Sequence, residues 1–244
     1  MNLIIAVVLL ILTVLIGGMI VTALHRQENK QLIKLLLALS GGFLLSIAFI
    51  HFIPELYQDP EINTGFLILI GFLIQLVLEF FSGGIEHGHV HLHGNKGIPY
   101  AIILALGLHS LVEGIPLGHQ LNGGILAIHP HHGNDYSLLI GILLHRIPVA
   151  IALTTLLKAS GASGIKLWSY LMIFAITAPI GVLLGYYGGG MVASFNFDGI
   201  LAVVVGMFLH ISTTIIFETS ENHKFNFFKL ITIIFGGAIA FLLH

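Results

Sequence analysis

Eight apolar runs, each about as long as a bilayer is thick, leave this chain few folds to choose from. They cover about residues 3–24, 32–56, 63–82, 98–118, 136–157, 165–188, 199–219 and 227–243. A helix needs about 20 apolar residues to cross the hydrocarbon core. The runs are continuous rather than alternating with period two, so they predict helices and not a barrel. Hydrophobic residues make up 57% of the 244 and charged residues only 8%, too little charge to coat a soluble domain. The expected fold class is an all-α integral membrane protein with eight transmembrane helices. The first run lacks a basic leading segment and reads as a retained span rather than a cleaved signal. The connections are short, which predicts a single transmembrane domain over residues 1–244 and no soluble module. There is no cysteine, so disulfides and thiolate ligands are excluded.

Charge sorting predicts the orientation. Arg26, Lys30 and Lys34 flank the first loop, Lys96 lies in the third, Lys158 and Lys166 flank the fifth, and Lys224 and Lys229 flank the seventh. Those are eight of the nine basic residues, all on odd-numbered loops, which the positive-inside rule assigns to the cytoplasm. Both termini are then outside. The even loops carry acids instead: Asp59 and Glu61, then Asp135, then Asp198. The expected setting is a multi-pass protein of the plasma (cell inner) membrane. Its expected partners are membrane lipid and a metal ion, with no nucleic acid.

The ninth basic residue, Arg146, stands in the middle of the fifth span beside His145, and the fourth span carries His109 and Glu113. Ionisable groups at such depth are costly, so they normally face a cavity, a partner or a substrate. His109 and Glu113 are four residues apart and share one helix face. Imidazole nitrogen with carboxylate oxygen forms a partial shell for zinc, iron(II) or manganese. His109 and His145 each lie nine residues from the outer end of their antiparallel spans, at a depth of about 14 Å. The three side chains can therefore converge near mid-membrane. The alternative is a buried His–Glu pair that only joins helices. Pro54, Pro116 and Pro148 each remove an N–H and free the carbonyl of Ile50, Val112 or Leu144, beside His51, Glu113 and His145. Freed backbone at this depth suits a wet cavity, or else an ordinary kink.

Histidine is unusually common, at 15 residues. Within the predicted cytoplasmic loop 83–97, His87, His89, His91 and His93 alternate with small or apolar residues, a pattern that suits weak metal capture or a plain solvated linker. His119, His129, His131 and His132 cluster after the fourth span, with the same two readings open. Glu79, near the inner end of the third span, could line a pathway or reach the interface, and His210 in the seventh could line a pathway or hydrogen-bond a neighbouring helix.

HSLVEGIPLG at 109–118 resembles the fourth-helix signature of the ZIP (Zrt-/Irt-like) family of divalent-metal transporters, and HRIPVA at 145–150 is similar to the fifth-helix signature. AFIHFIPE at 48–55 and, more loosely, GFLIQLVLE at 71–79 match as well. The resemblance implies a ZIP-like bundle with both termini outside, assembled as a homodimer. It implies transport of a divalent cation, zinc before Fe2+, Mn2+ or Cd2+, toward the cytosol by an elevator-like shift of helices. The metal would sit between the fourth and fifth helices on His109, Glu113 and His145, with Ser110 alongside, and His51 would stand near the outer entrance. No organic cofactor and no enzymatic activity are implied. The sequence departs from the commonest family pattern at Arg146 and Val149, where many members carry ligands for a second metal. Arg146 would occupy that second position and pair with Glu113. The rival reading, an intramembrane metal-dependent hydrolase, would also want buried histidines and an acid, but no HExxH is present.

Overall fold

Short polar and proline-bearing segments decide where the apolar runs become helices and where they stop. A computed structural model describes residues 2–23, 30–60, 62–83, 99–123, 136–191, 196–218 and 227–243. The helices are α1 (Leu3–Ala23), α2 (Lys30–Ile47), α3 (Ile53–Leu56), α4 (Thr64–Ser82), α5 (Tyr100–Leu121), α6 (Ser137–Ala159), α7 (Gly164–Met191), α8 (Phe197–Glu218) and α9 (Phe227–Leu242). No strand occurs among the described residues. The Asn63 side chain accepts the N–H of Phe66 and starts α4, which ends at Gly83 in the left-handed conformation, φ 62°. Gly161, φ 88°, closes α6, and the N–H of Ala162 reaches back to the carbonyl of Leu157. The four expected histidines at 87, 89, 91 and 93, and those at 129, 131 and 132, lie outside the described residues.

The second expected span is α2 and α3 joined by a π turn over Ala48–Phe52. There the N–H of Ile53 bonds to the carbonyl of Ala48, five residues back. Pro54 explains the break, because it donates nothing and its ring crowds the preceding turn. His51 rides on this π turn, a local form often found at functional sites. Seven helical spans are long and apolar enough to cross a membrane. The eighth, α9, has 16 residues, about 24 Å of helix. It is the shortest of the eight spans expected.

Small residues set how the helices pack. Hydrophobic burial gives little drive between helices surrounded by lipid, so backbones must approach closely to gain contact. On α5, a Cβ added at Gly114 or Gly118 would meet the backbone of α7 at Ala178 or Val182. In return, Gly181 and Gly185 of α7 lie against the carbonyls of Leu111 and Ile115. The same reciprocity joins α4 to α8 through Gly71 and Gly206, and α2 to α9 through Gly42 and Gly236. Gly17 seats α1 on α6 against Ala150.

These contacts follow an inverted plan. The principal pairs are α5 with α7, α2 with α9, α4 with α8 and α1 with α6. Exchanging α1, α2 and α4 for α7, α8 and α9, and α5 for α6, turns each pair into another of the set. The exchanged spans run in opposite directions, as in an inverted repeat. The Gly-Gly pairs at 41–42 and 236–237 stand on α2 and α9, two helices that touch and are not exchanged for each other. The functional consequence is a loose middle. α5 rests on α7, α6 rests on α1 and α2, and α5 and α6 barely touch each other.

Candidate metal centre

The gap between α5 and α6 is bridged by side chains. His109, Ser110 and Glu113 on α5 and His145 and Arg146 on α6 are all buried, none more than 3% exposed. The i,i+4 spacing brings His109 Nε2 to 2.8 Å from Glu113 Oε1. The ring of His145 approaches that of His109 edge to face, with centroids 6.1 Å apart. The depth matching read from the sequence therefore corresponds to a real juxtaposition. Among the described residues, however, no three His, Asp or Glu side chains are already drawn together tightly enough to hold a metal.

The finer geometry concerns two atoms. His109 Nε2 and Glu113 Oε1, 2.8 Å apart, form a buried ion pair between neighbouring turns of α5. On the far side of the ring, His109 Nδ1 is 3.0 Å from Oε1 of Gln75, which is fully buried on α4. With Nδ1–H donating to that amide oxygen, Nε2 is the nitrogen that faces Glu113. A second hydrogen-bonding partner that fixes the tautomer is the usual companion of a metal-ligating imidazole. A tetrahedral metal with bonds of about 2.1 Å holds two of its ligand atoms about 3.3 Å apart. The pair would need to open by only about half an ångström to admit one.

A second polar pair lies on the same flank. Glu79 follows Gln75 by one turn on α4 and is hydrogen-bonded to His210 Nε2 of α8. Phe72 packs edge-on against the His210 ring at 4.7 Å. Glu79 and His210, expected separately from the sequence, are thus direct partners. His51 is partly exposed, and its Nε2 is 3.8 Å from Glu55 Oε2, one turn on. His119 is stacked on Phe197 at 3.8 Å, with its ring nearly parallel to the phenyl.

Arg146 does not form the expected pair with Glu113. Its Nη2 donates instead to the carbonyls of Phe174, at 2.9 Å, and Ala175, at 3.2 Å, on α7. Its Cζ lies 4.6 Å over the Phe174 ring. Sequence reading missed these acceptors and also Gln75. A glutamine in mid-span, one turn from Glu79, was the available signal for Gln75. The acceptors on α7 carried no signal beyond Pro179 inside that helix.

A sequence model described as ZIP zinc transporter matches residues 2–99 and 84–244, which is the whole chain but its first residue. The chain belongs to the ZIP zinc transporter family. Among its relatives is Protein zntD of Dictyostelium discoideum, 28% identical over 164 residues that cover 61% of this chain and 22% of that protein. Zinc transporter ZIP1 of Danio rerio is 22% identical over 208 residues, 65% of this chain and 66% of the relative. Zinc transporter ZIP9-A of Xenopus laevis is 23% identical along an alignment 255 positions long that covers 84% of this chain and 82% of the relative. The match to the ZIP family agrees with the helical, multi-pass character of the fold. Within that family, this chain's polar centre is the α5–α6 cluster with Gln75 behind it.

Proposed function

We propose that this chain carries divalent metal cations, zinc first among them, across the membrane toward the cytoplasm. His109, Glu113 and His145 would bind the ion between α5 and α6, with Ser110 at the edge of the site. The observation that carries this reading is a buried imidazole nitrogen and a buried carboxylate oxygen held 2.8 Å apart, with the other nitrogen of that imidazole held by Gln75 and the His145 ring edge-on beside it. Two buried ligand atoms brought together beside a third are groups that could share a cation. Zinc as the ion is supported by the family and by the names of the relatives.

The remaining polar residues fit a path. His51 with Glu55 would receive the ion at the outer side, where the π turn leaves them partly exposed. Glu79 with His210 would take it next on the way to the cytoplasm, exchanging their mutual bond for contacts to the ion. The basic residues of the odd loops orient the chain, with those loops on the cytoplasmic side. The histidines at 87, 89, 91 and 93 would collect the ion on the cytoplasmic side. Arg146 in place of a ligand leaves one metal at the centre rather than two. Assembly as a homodimer in the plasma membrane is carried over from the family resemblance. The family match lends no support to the hydrolase reading.

Uptake of radioactive zinc into proteoliposomes tests the function. His109→Ala, Glu113→Ala and His145→Ala should each lower the uptake rate by at least about tenfold, since each removes one of three ligands, while the protein still inserts. Uptake unchanged in two of the three variants contradicts the site.

A further inference from the structure

Pro179 interrupts the hydrogen-bond ladder in the interior of α7. It has no N–H, and its ring crowds the carbonyl four residues back, that of Ala175. At membrane depth no bulk water can satisfy such a carbonyl, so a side chain must. The side chain that does so comes from another helix. Arg146 Nη2 donates to Ala175 O at 3.2 Å and to the neighbouring Phe174 O at 2.9 Å. The Phe174 ring supports the guanidinium face from 4.6 Å. Arg146 is only 2% exposed, and its Nε and Nη1 have no hydrogen-bond partner among the described residues.

This arrangement is unusual. A buried guanidinium next to His145 and facing a buried carboxylate would ordinarily pair with that carboxylate. Here Arg146 and Glu113 form no ion pair among the described residues, and α7 takes the guanidinium instead. Only Nη2 of the guanidinium is engaged, so with the Ala175 carbonyl returned to the ladder a single hydrogen bond, to Phe174 O, would hold the group on α7.

We propose that Pro179 is a positioning residue for the metal centre. By freeing the carbonyl of Ala175 it gives Arg146 a docking point on α7, which holds the fixed positive charge off Glu113 and leaves that carboxylate to the cation. The proposal rests on the reading of His109, Glu113 and His145 as the ligands. Restoring an N–H at 179 closes the ladder bond to Ala175. Arg146 is then free to turn to Glu113, where it competes for the carboxylate and repels a divalent ion in a medium that screens poorly.

The test is zinc affinity of the purified full chain, with the histidines at 87, 89, 91, 93, 129, 131 and 132 replaced by Ser so that binding reports the centre. Pro179→Ala should weaken zinc binding about tenfold when Arg146 is present, through this repulsion, and should leave it unchanged when Arg146→Met is already in place. Phe174→Leu, which removes the supporting ring without touching the helix ladder, should show the same dependence and serves if Pro179→Ala does not fold. Equal weakening in both backgrounds makes the proline a structural kink only and overturns the proposal. Unchanged affinity with Arg146 present overturns it too. His145→Ala, measured alongside, separates the two levels. If it weakens zinc binding while Pro179→Ala and Phe174→Leu do nothing, the site stands and this proposal falls. If it leaves zinc binding intact, the site reading itself falls.

Discussion

Gln75 does for His109 what no residue of α5 can do. Its amide oxygen, 3.0 Å from Nδ1, holds the ring with Nε2 toward Glu113. Gln75→Leu should leave that buried N–H without its acceptor, a loss of about 1–3 kcal/mol. Zinc affinity should fall by roughly 10–100-fold, the usual effect of losing the group that orients a ligand. Competition calorimetry on the purified protein checks this, and an unchanged affinity would show that Gln75 does not orient the ring. A residue one turn away behaves differently. Glu79→Leu should leave zinc binding at the centre intact but slow uptake in proteoliposomes by at least about tenfold, because a buried His210 then lacks its anionic partner on the path. Weakened binding with unchanged uptake would place Glu79 in the centre instead. The nearness of His109 to Glu113 was legible in the sequence, since counting four residues along one helix suffices. The nearness of His145 was legible because equal depth in two adjacent spans can also be counted. Gln75 and the carbonyls of Phe174 and Ala175 were not legible, because they require knowing which helices lie against α5 and α6. For the same reason Arg146 was expected on Glu113, the one anion that counting could place near it.

At the scale of elements, the site depends on a tight α5–α7 pair beside a loose α5–α6 pair. The tight pair is made by glycines whose missing Cβ atoms admit a carbonyl of the facing helix. Gly118→Ala would set a methyl against the carbonyl of Val182 and should destabilise by about 1–3 kcal/mol, the usual range for overpacking. Gly107→Ala meets only Thr177 Cγ2 at 3.4 Å, an ordinary contact. It should be neutral or raise stability by about 0.5–1 kcal/mol through the better helix propensity of alanine. Thermal unfolding of the two variants in detergent gives the comparison, and equal melting temperatures would contradict the role of Gly118. The helix positions were readable from the apolar runs, and their ends from turn residues such as Asn63, Gly83 and Gly161. Pro54 announced a disturbance in the second span. It did not announce a π turn, because how a helix absorbs a proline depends on the helices packed against it. The shortness of α9, 16 residues, was already visible in the apolar run at 227–243.

At the scale of the whole molecule, two inverted sets of helices flank a central pair that carries the polar residues. Only the packing identifies the equivalent helices. The family match covers both halves of the chain, in keeping with polar residues that come from α4 in one half and α8 in the other, where Glu79 meets His210. If the loop histidines only gather metal, replacing His87, His89, His91 and His93 together with Ser should leave zinc uptake measurable while changing its dependence on zinc concentration. Complete loss of uptake in a well-inserted variant would make that loop part of the path. The central claim is narrower, that one ion is held by two imidazoles and one carboxylate from α5 and α6. Zinc K-edge X-ray absorption of that loop-substituted protein, loaded with one equivalent of zinc, tests it directly. The account predicts nitrogen and oxygen ligands at about 2.0–2.1 Å, with an imidazole signal of two that falls to one in His145→Ala. An imidazole signal that does not change when His145 is removed would contradict it.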